Sequence, residues 1–318
     1  CRSWRRPKCS VSYRSAWSSA PTISPPATSA RSAAPPASRA AGTPAASPMP
    51  RSRHTVCSAS QGCSTPLSLL AAITLTSAGN SQDIFIAKLD NSGNVLWAIA
   101  QGGSSGDIGH GITVDNQGNV IVTGQFKETA TIGTNTFTSA IDPNTGLYSS
   151  DFFVAKYSAA GTPIWSLNGF AEYDDRGLAV TIDNSNNILV GGQFSDTLVF
   201  AGTTINNGIY NAGMVFKLDP NGGLTWFKRL GATQTLAFDL KTDDLGNVYV
   251  TGDFKGQMVV FDTQNFYLNG NYSYRIFVLK MDASGHIIWG TSESSGSEVS
   301  SKAIALDNAG GIYISGTF

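Results

Sequence analysis

Three histidines, the acid pair Asp174-Asp175 and a set of evenly spaced aspartates are the residues here that could do chemistry. His54, His110 and His286 stand far apart, and none belongs to an H-E-x-x-H zinc motif. Neither a G-x-S-x-G nucleophile turn nor a phosphate-cradling P-loop occurs. Asp174-Asp175 beside Arg176 has the composition of a general acid/base group. Adjacent acids on a loop are more often simply solvated. Asp115, Asp183, Asp243 and Asp307 each open a short polar turn that could face calcium. Calcium takes about six to eight oxygens, several of them carboxylate, and Asp115-Asn116-Gln117-Gly118-Asn119 offers too few. An aspartate also starts turns by bonding its own backbone. These four are therefore read as turn residues. No catalytic, cofactor-binding or metal residue is assigned, no cofactor is expected, and ligand-binding residues stay unassigned.

Trp97, Trp165, Trp226 and Trp289 could make a stacking row for a ligand. An aromatic at one fixed place in every repeat is what packing between repeats produces, at on the order of 1.5–3 kcal/mol each. Phe126, Phe194, Phe254 and Phe318 are read the same way. Nine residues before each Trp stands a Lys: Lys88, Lys156, Lys217 and Lys280. Each is expected to be a structural surface residue with its stem along apolar neighbours.

These residues sit in a stretch written four times. DIFIAKLDNSGNVLW (Asp83 to Trp97) returns as DFFVAKYSAAGTPIW, AGMVFKLDPNGGLTW and RIFVLKMDASGHIIW. A second motif follows each Trp, as in DNQGNVIVTGQF (Asp115 to Phe126) and DDLGNVYVTGDF (Asp243 to Phe254). The Lys anchors are 68, 61 and 63 residues apart and the Asp anchors 68, 60 and 64. Two independent anchors at one near-fixed period mark a repeat architecture. Each unit reads as four short β-branched strands joined by Gly- and Asn-containing hairpin turns, with no helical stretch between them. That is the pattern of a propeller blade. The variable part of each unit, as in TIGTNTFT (Thr131 to Thr138), Thr197 to Ile205 and Met258 to Tyr267, predicts a small extra outer hairpin.

The combination of D-x-F-x-A-K-L-D-x-x-G-N-x-x-W with D-x-x-G-N-V-Y-V-T-G-x-F resembles the bacterial SBBP family, named for seven-bladed β-propeller repeats. The resemblance runs from about Thr74 to Phe318. Departures are mild: Asn186 stands for the turn Gly in the second unit and Gly311 for Asn in the fourth. The family phase makes the D-x-x-G-N pair the inner half of a blade and the A-K-L-D pair the outer half. It implies a half blade at 74–101, blades at 102–170, 171–232 and 233–294, and a half blade at 295–318. The expected fold is an all-β propeller of four-stranded antiparallel blades, present as an incomplete open arc of three full and two half blades. Further blades would be needed to close the ring, and the open edges are an aggregation liability.

Residues 1–73 are a different text, rich in Ser, Ala, Pro and Arg and without period. Residues 1–82 carry nine basic residues and no acid, whereas 83–318 carry twelve basic and 22 acidic residues, a net of −10. All four cysteines, Cys1, Cys9, Cys57 and Cys63, lie in the first part. Three readings fit it: a disordered basic linker, a signal peptide from Met49 with Leu67 to Leu75 as its apolar region, or a segment translated out of frame. The chain starts with Cys, so its beginning is expected to lie upstream.

The acidic repeat region speaks against nucleic acid as partner. No apolar run reaches the ~18 residues of a membrane helix. A Cys-free repeat region is compatible with an oxidising exterior. The SBBP resemblance implies a secreted or surface bacterial protein, a non-enzymatic scaffold for binding or adhesion whose protein or glycan ligand sits on loops at one face. Two alternatives stand beside it: a purely structural stalk module, and a propeller enzyme, either a quinoprotein dehydrogenase or a glycoside hydrolase. Leu89 to Trp97 is loosely similar to the dehydrogenase docking motif, with an Asp-to-Gly spacing one residue short, and to the sialidase Asp-box, with a Gly-to-Trp spacing too long.

Overall fold

A computed structural model describes residues 14–15, 53–58, 67–69, 73–206, 211–231, 234–256, 258–260, 266–268, 274–293 and 299–318. The linker, leader and out-of-frame readings of residues 1–73 fall for the most part outside these. Four short strands come first: β1 (Arg14–Ser15), β2 (Arg53–Ser58), β3 (Leu67–Leu69) and β4 (Ile73–Leu75). The repeats then open with the hairpin β5 (Ile84–Leu89) and β6 (Val95–Gly103). Next come β7 (Ile108–Val114), β8 (Val120–Lys127), β9 (Thr129–Ile132), β10 (Asn135–Thr138), β11 (Ser150–Tyr157) and β12 (Pro163–Asn168). The following unit holds β13 (Arg176–Ile182), β14 (Ile188–Phe194), β15 (Thr197–Phe200), β16 (Thr203–Asn206), β17 (Ala212–Leu218) and β18 (Leu224–Gly231). Then follow β19 (Gln234–Thr242), β20 (Val248–Lys255), β21 (Met258–Val260), β22 (Phe266–Leu268), β23 (Tyr274–Met281) and β24 (Ile287–Glu293). The hairpin β25 (Ser300–Leu306) and β26 (Ile312–Thr317) comes last.

Three antiparallel blades result, in strand order β7-β8-β11-β12, β13-β14-β17-β18 and β19-β20-β23-β24, with a hairpin on either side of them. β2 lies beside β5 as β8 lies beside β11, with Arg53 opposite Leu89 where Val120 is opposite Tyr157. The first strands β7, β13, β19 and β25 lie next to one another from blade to blade, so they form the inner wall of a propeller arc.

The core lies between blades, not within them. Phe152 and Val154 of β11 pack with Val190, Phe194 and Phe216 of the following blade. Phe153, Ala155 and Tyr157, on the other face of β11, pack with Ile84 and Ile86 of the preceding hairpin. A strand covered on both faces has no polar side, which is why D-F-F-V-A-K-Y reads as a nearly continuous apolar run.

Two irregularities recur in each blade. The outer strand skips one residue opposite the Lys, so Lys156 faces Trp165 and Tyr157 faces Pro163. The skipped residues Leu96, Ile164 and Ile288 stand out 55%, 48% and 51% exposed, while the Trp turns inward. The first strand is bulged at Gly109/Gly111, Gly177/Ala179, Ala237/Asp239 and Ser301/Ala303.

The extra hairpins form where the variable stretches predict them, but they serve the preceding blade. β9–β10 pairs with β6, placing Thr131 opposite Gly102. β21–β22 pairs with β18, placing Val259 opposite Gly231. β15–β16 bridges to Phe170, just beyond β12, through Val199. Each hairpin thus covers an outer strand that would otherwise present unpaired backbone.

Candidate functional site

The turn aspartates are fully engaged by their own turns. Asp115 Oδ1 accepts the backbone N–H groups of Gln117 and Asn119 at 2.9 and 2.8 Å. Its Oδ2 accepts Asn119 Nδ2 at 2.9 Å and Lys156 Nζ at 3.0 Å. Asp183 repeats this with Ser185, Asn187 and Lys217. In Asp243 and Asp307 the Lys place on Oδ2 is taken by a tyrosine hydroxyl, Tyr249 at 3.2 Å and Tyr313 at 2.9 Å. Burial works to raise the pKa of Asp115 and Asp183, yet the Asn and Lys hydrogen bonds outweigh it and hold both below the ordinary carboxylate value. Both oxygens of Asp115 and Asp183 are thus taken up within the blade, and among the described residues no group of three or more His, Cys, Asp or Glu is arranged to hold a metal.

Lys and Trp, given separate roles by the sequence, act together. They are cross-strand partners, and both donate to one carbonyl in the next blade's turn. Lys88 Nζ and Trp97 Nε1 reach Ala159 O at 2.9 and 3.1 Å. Lys156 and Trp165 reach Pro220 O at 3.1 and 3.3 Å. Lys217 and Trp226 reach Ala283 O at 3.1 and 3.2 Å. The half-buried Trp rings lie over the turn glycines: a Cβ on Gly161 or Gly285 would sit 3.0 Å from Trp97 or 2.9 Å from Trp226. The wedge role expected for Trp is what this geometry performs. The surface role expected for Lys is corrected at Lys156 and Lys217, whose side chains are only 6% and 7% exposed, whereas Lys88 and Lys280 are partly exposed. A buried ammonium is tolerable here because a carboxylate and a carbonyl both compensate it.

The opposite end of the sheets holds a second acidic pattern. Asp174 and Asp175 do not form a pair. Asp174 is exposed, 3.3 Å from Arg176. Asp175 is wholly buried and is coupled electrostatically to Asp151, also 0% exposed. Asp151 accepts the Ala140 N–H at 3.2 Å and Asp175 the Ser195 N–H at 2.9 Å. Asp151 Oδ1 and Asp175 Oδ2 have no hydrogen-bond partner. Asp83 and Asp107 repeat the arrangement one blade earlier, converging on Gly102, where a Cβ would lie 2.9 and 2.6 Å from their oxygens. Burial pushes Asp107 up to about 7 and Asp151 up to about 8, against the N–H groups that bond them. Burial, then the Asp151 charge, raises Asp175 well above the carboxylate range. These acids are sealed under their loops, so Asp175 cannot serve the acid/base role its neighbours in sequence propose for it.

The histidines do not come together. His110 Nε2, on the first strand, is 3.2 Å from Gln125 Oε1 on the second. His286 lies in an outer turn, 3.4 Å from Asp282. For His54 only the strand it belongs to is described.

Sequence reasoning missed one row. The first-strand bulges eject His110, Leu178, Phe238 and Lys302, each five residues before a turn Asp. Lys302 Nζ lies 3.7 Å from the centre of the Phe238 ring, so neighbouring bulges meet along the inner wall. The signal was available as four chemically different residues at one fixed offset inside an otherwise repeating strand.

No family model matches this sequence. The uncharacterized WD repeat-containing protein L264 of Acanthamoeba polyphaga mimivirus is 22% identical over 229 residues, 62% of this chain. The chain is a β-propeller-type repeat protein. It matches only 16% of that viral relative's length. The repeat protein has no helix among its described residues long and apolar enough to cross a membrane, which says nothing of a β-barrel.

Proposed function

We propose that this repeat protein is a non-catalytic binding scaffold of the bacterial SBBP type, acting outside the cell or on its surface, with a protein or glycan as partner. One observation carries the reading. The chemical groups that recur in the units are consumed in the frame: Lys and Trp fasten a blade to the next one, and the turn Asp holds its own turn and, at Asp115 and Asp183, the Lys of its own blade. The groups that differ between units include the exposed residues of the inter-strand loops, such as Ile141, Leu147 and Tyr148, and the part-exposed bulge residues. A frame that spends its repeated chemistry on itself and varies its surface supports recognition. The viral relative's WD repeats support a scaffold as well, and the extracellular part rests on the SBBP resemblance, with which a cysteine-free stretch at 83–318 is compatible.

The test is a screen of the full chain against immobilised glycans and against candidate surface proteins, run beside turnover assays with quinone plus calcium and with chromogenic glycosides. Saturable binding without turnover is expected. Reproducible turnover in either assay overturns the reading in favour of a propeller enzyme, and absence of any ligand favours a structural stalk. Cell fractionation with an antibody to the repeats tests the location.

A further inference from the structure

The connection from β10 to β11 departs furthest from the repeat. It spans residues 139–149, eleven residues, where the next two units use five at 207–211 and 269–273. The added chain is a built hairpin. Ile141 bridges Tyr148, Asp142 and Leu147 bond through their backbones at 2.8 Å, and Gly146 closes the turn on Asp142 at 2.8 Å with φ +69°. Its base is pinned by Ser149 Oγ on Ala140 O at 3.1 Å and by Ala140 N–H on Asp151 at 3.2 Å. Its tip is pinned to the next blade by Asn144 Nδ2 on Tyr173 Oη at 3.1 Å. On this rigid mount Ile141, Leu147 and Tyr148 are 53%, 66% and 37% exposed.

The surroundings are acidic. Asp142 belongs to the hairpin, and Glu172 and Asp174 flank Tyr173. Between 139 and 176 the basic residues are Lys156, buried at the other end of its strand, and Arg176, already 3.3 Å from Asp174, while Lys127, across the strands from Ser150 at the hairpin base, is followed by Glu128. A held hairpin that presents apolar side chains loses little conformational freedom on binding. An acidic rim selects a cationic partner and repels an anionic lipid surface.

We infer that the 139–149 hairpin, with Tyr173 and its acidic neighbours, is a docking surface for a protein segment that sets Lys or Arg beside an aliphatic or aromatic side chain. This names a partner chemistry for the scaffold reading and rests on it.

The experiment is selection of a random short-peptide display library on the immobilised full chain. Enriched peptides are then titrated by fluorescence anisotropy against wild type, Leu147→Ser/Tyr148→Ser and Leu245→Ser, the last an 83% exposed residue at the far end of the sheets. Basic-apolar peptides are expected to enrich. Their binding should fall about tenfold or more in the double variant, as for lost apolar anchors. It should weaken as salt rises from about 0.05 to about 0.5 M and be unchanged by Leu245→Ser. Matched far-UV circular dichroism of the variants guards against misfolding. Peptides that are acidic, that bind the double variant as well as wild type, or that fail to enrich overturn the docking surface. Binding that survives the double variant leaves the scaffold reading standing. Loop-dependent cosedimentation with vesicles in place of peptide binding also overturns the proposal, since it assigns the hairpin to a membrane.

Discussion

The two ends of each blade carry aspartates under opposite regimes. At the turn end Asp115 and Asp183 are buried, yet each meets a Lys, an Asn and two backbone N–H groups. At the other end Asp151 and Asp175 meet each other, with one oxygen apiece unbonded. The first arrangement favours the charged form and the second the protonated form. The junctions also differ among themselves. A backbone bond recurs at the acid end, from Asp107, Asp175 and Thr235 N–H to Gln82, Ser150 and Asn211 O, at 2.7, 2.6 and 3.1 Å. The side chains on it run Asp83/Asp107, Asp151/Asp175, then Ala212/Thr235. The backbone contact therefore does not need the acids. They are an addition to two junctions, held at a cost that depends on pH.

The largest expected effect breaks the compensated end. Lys156→Met strands the Asp115 carboxylate in a buried site and should cost about 3–5 kcal/mol in chemical denaturation at neutral pH. Adding Asp115→Asn should recover part of it, because the unpaired charge is then gone.

Next is the uncompensated end. The folded pKa of Asp151 is raised to about 8. The folded state therefore holds a proton that the unfolded chain releases near pH 4, and stability drops as pH rises from about 4 to about 8. The slope approaches about 1.4 kcal/mol per pH unit for one such proton. Asp151→Asn should remove that share of the slope, with Asp107 and Asp175 keeping theirs, leaving stability near pH 5 little changed and raising it at pH 8, as thermal melts across that range would record. The depressed Asp115 and Asp183 act in the opposite window: their contribution is complete above the unfolded value of about 4 and is lost as pH falls through the lower folded value.

Smaller is Gly161→Ala. It forces a Cβ at φ +84°, 3.0 Å from Trp97, and should destabilise by about 1–2 kcal/mol, with a change in tryptophan fluorescence that the same substitution at the open Gly310 would not give. Smallest is Asn186→Gly. It relieves φ +61° but removes the Oδ1 that accepts the Asn116 N–H at 2.9 Å across the blade junction. The two effects oppose, and a net change within about 0.5 kcal/mol is expected in urea titration.

Much of this was legible in the repeats. The D-x-x-G-N spacing makes the turn: Oδ1 reaches the N–H groups two and four residues on, Asn at the fifth place adds its amide, and Gly or Asn accepts the positive φ. All those partners are within five residues, so local spacing decides them. The two hairpins of each blade follow from the same short range, as do the sites of the extra hairpins, whereas the pairing that joins the two hairpins, such as Val120 with Tyr157, spans the variable stretch.

What spacing could not show lies across blades. Lys156 is a surface residue to any local reading. It is buried because Pro220, 64 positions away, brings a carbonyl to it once two sheets stack. Asp175 pairs with Asp151 and not with its neighbour Asp174, because successive residues of an extended chain point to opposite sides. The extra hairpins close the preceding blade, not their own, because that is where an unpaired edge lies within reach. The sequence by itself determined the period, the turns and the strands, all set by the local spacing of turn and strand-forming residues. Only the tertiary structure decided which charges are buried and what faces them, because burial belongs to the stacking of sheets some sixty residues apart in the chain.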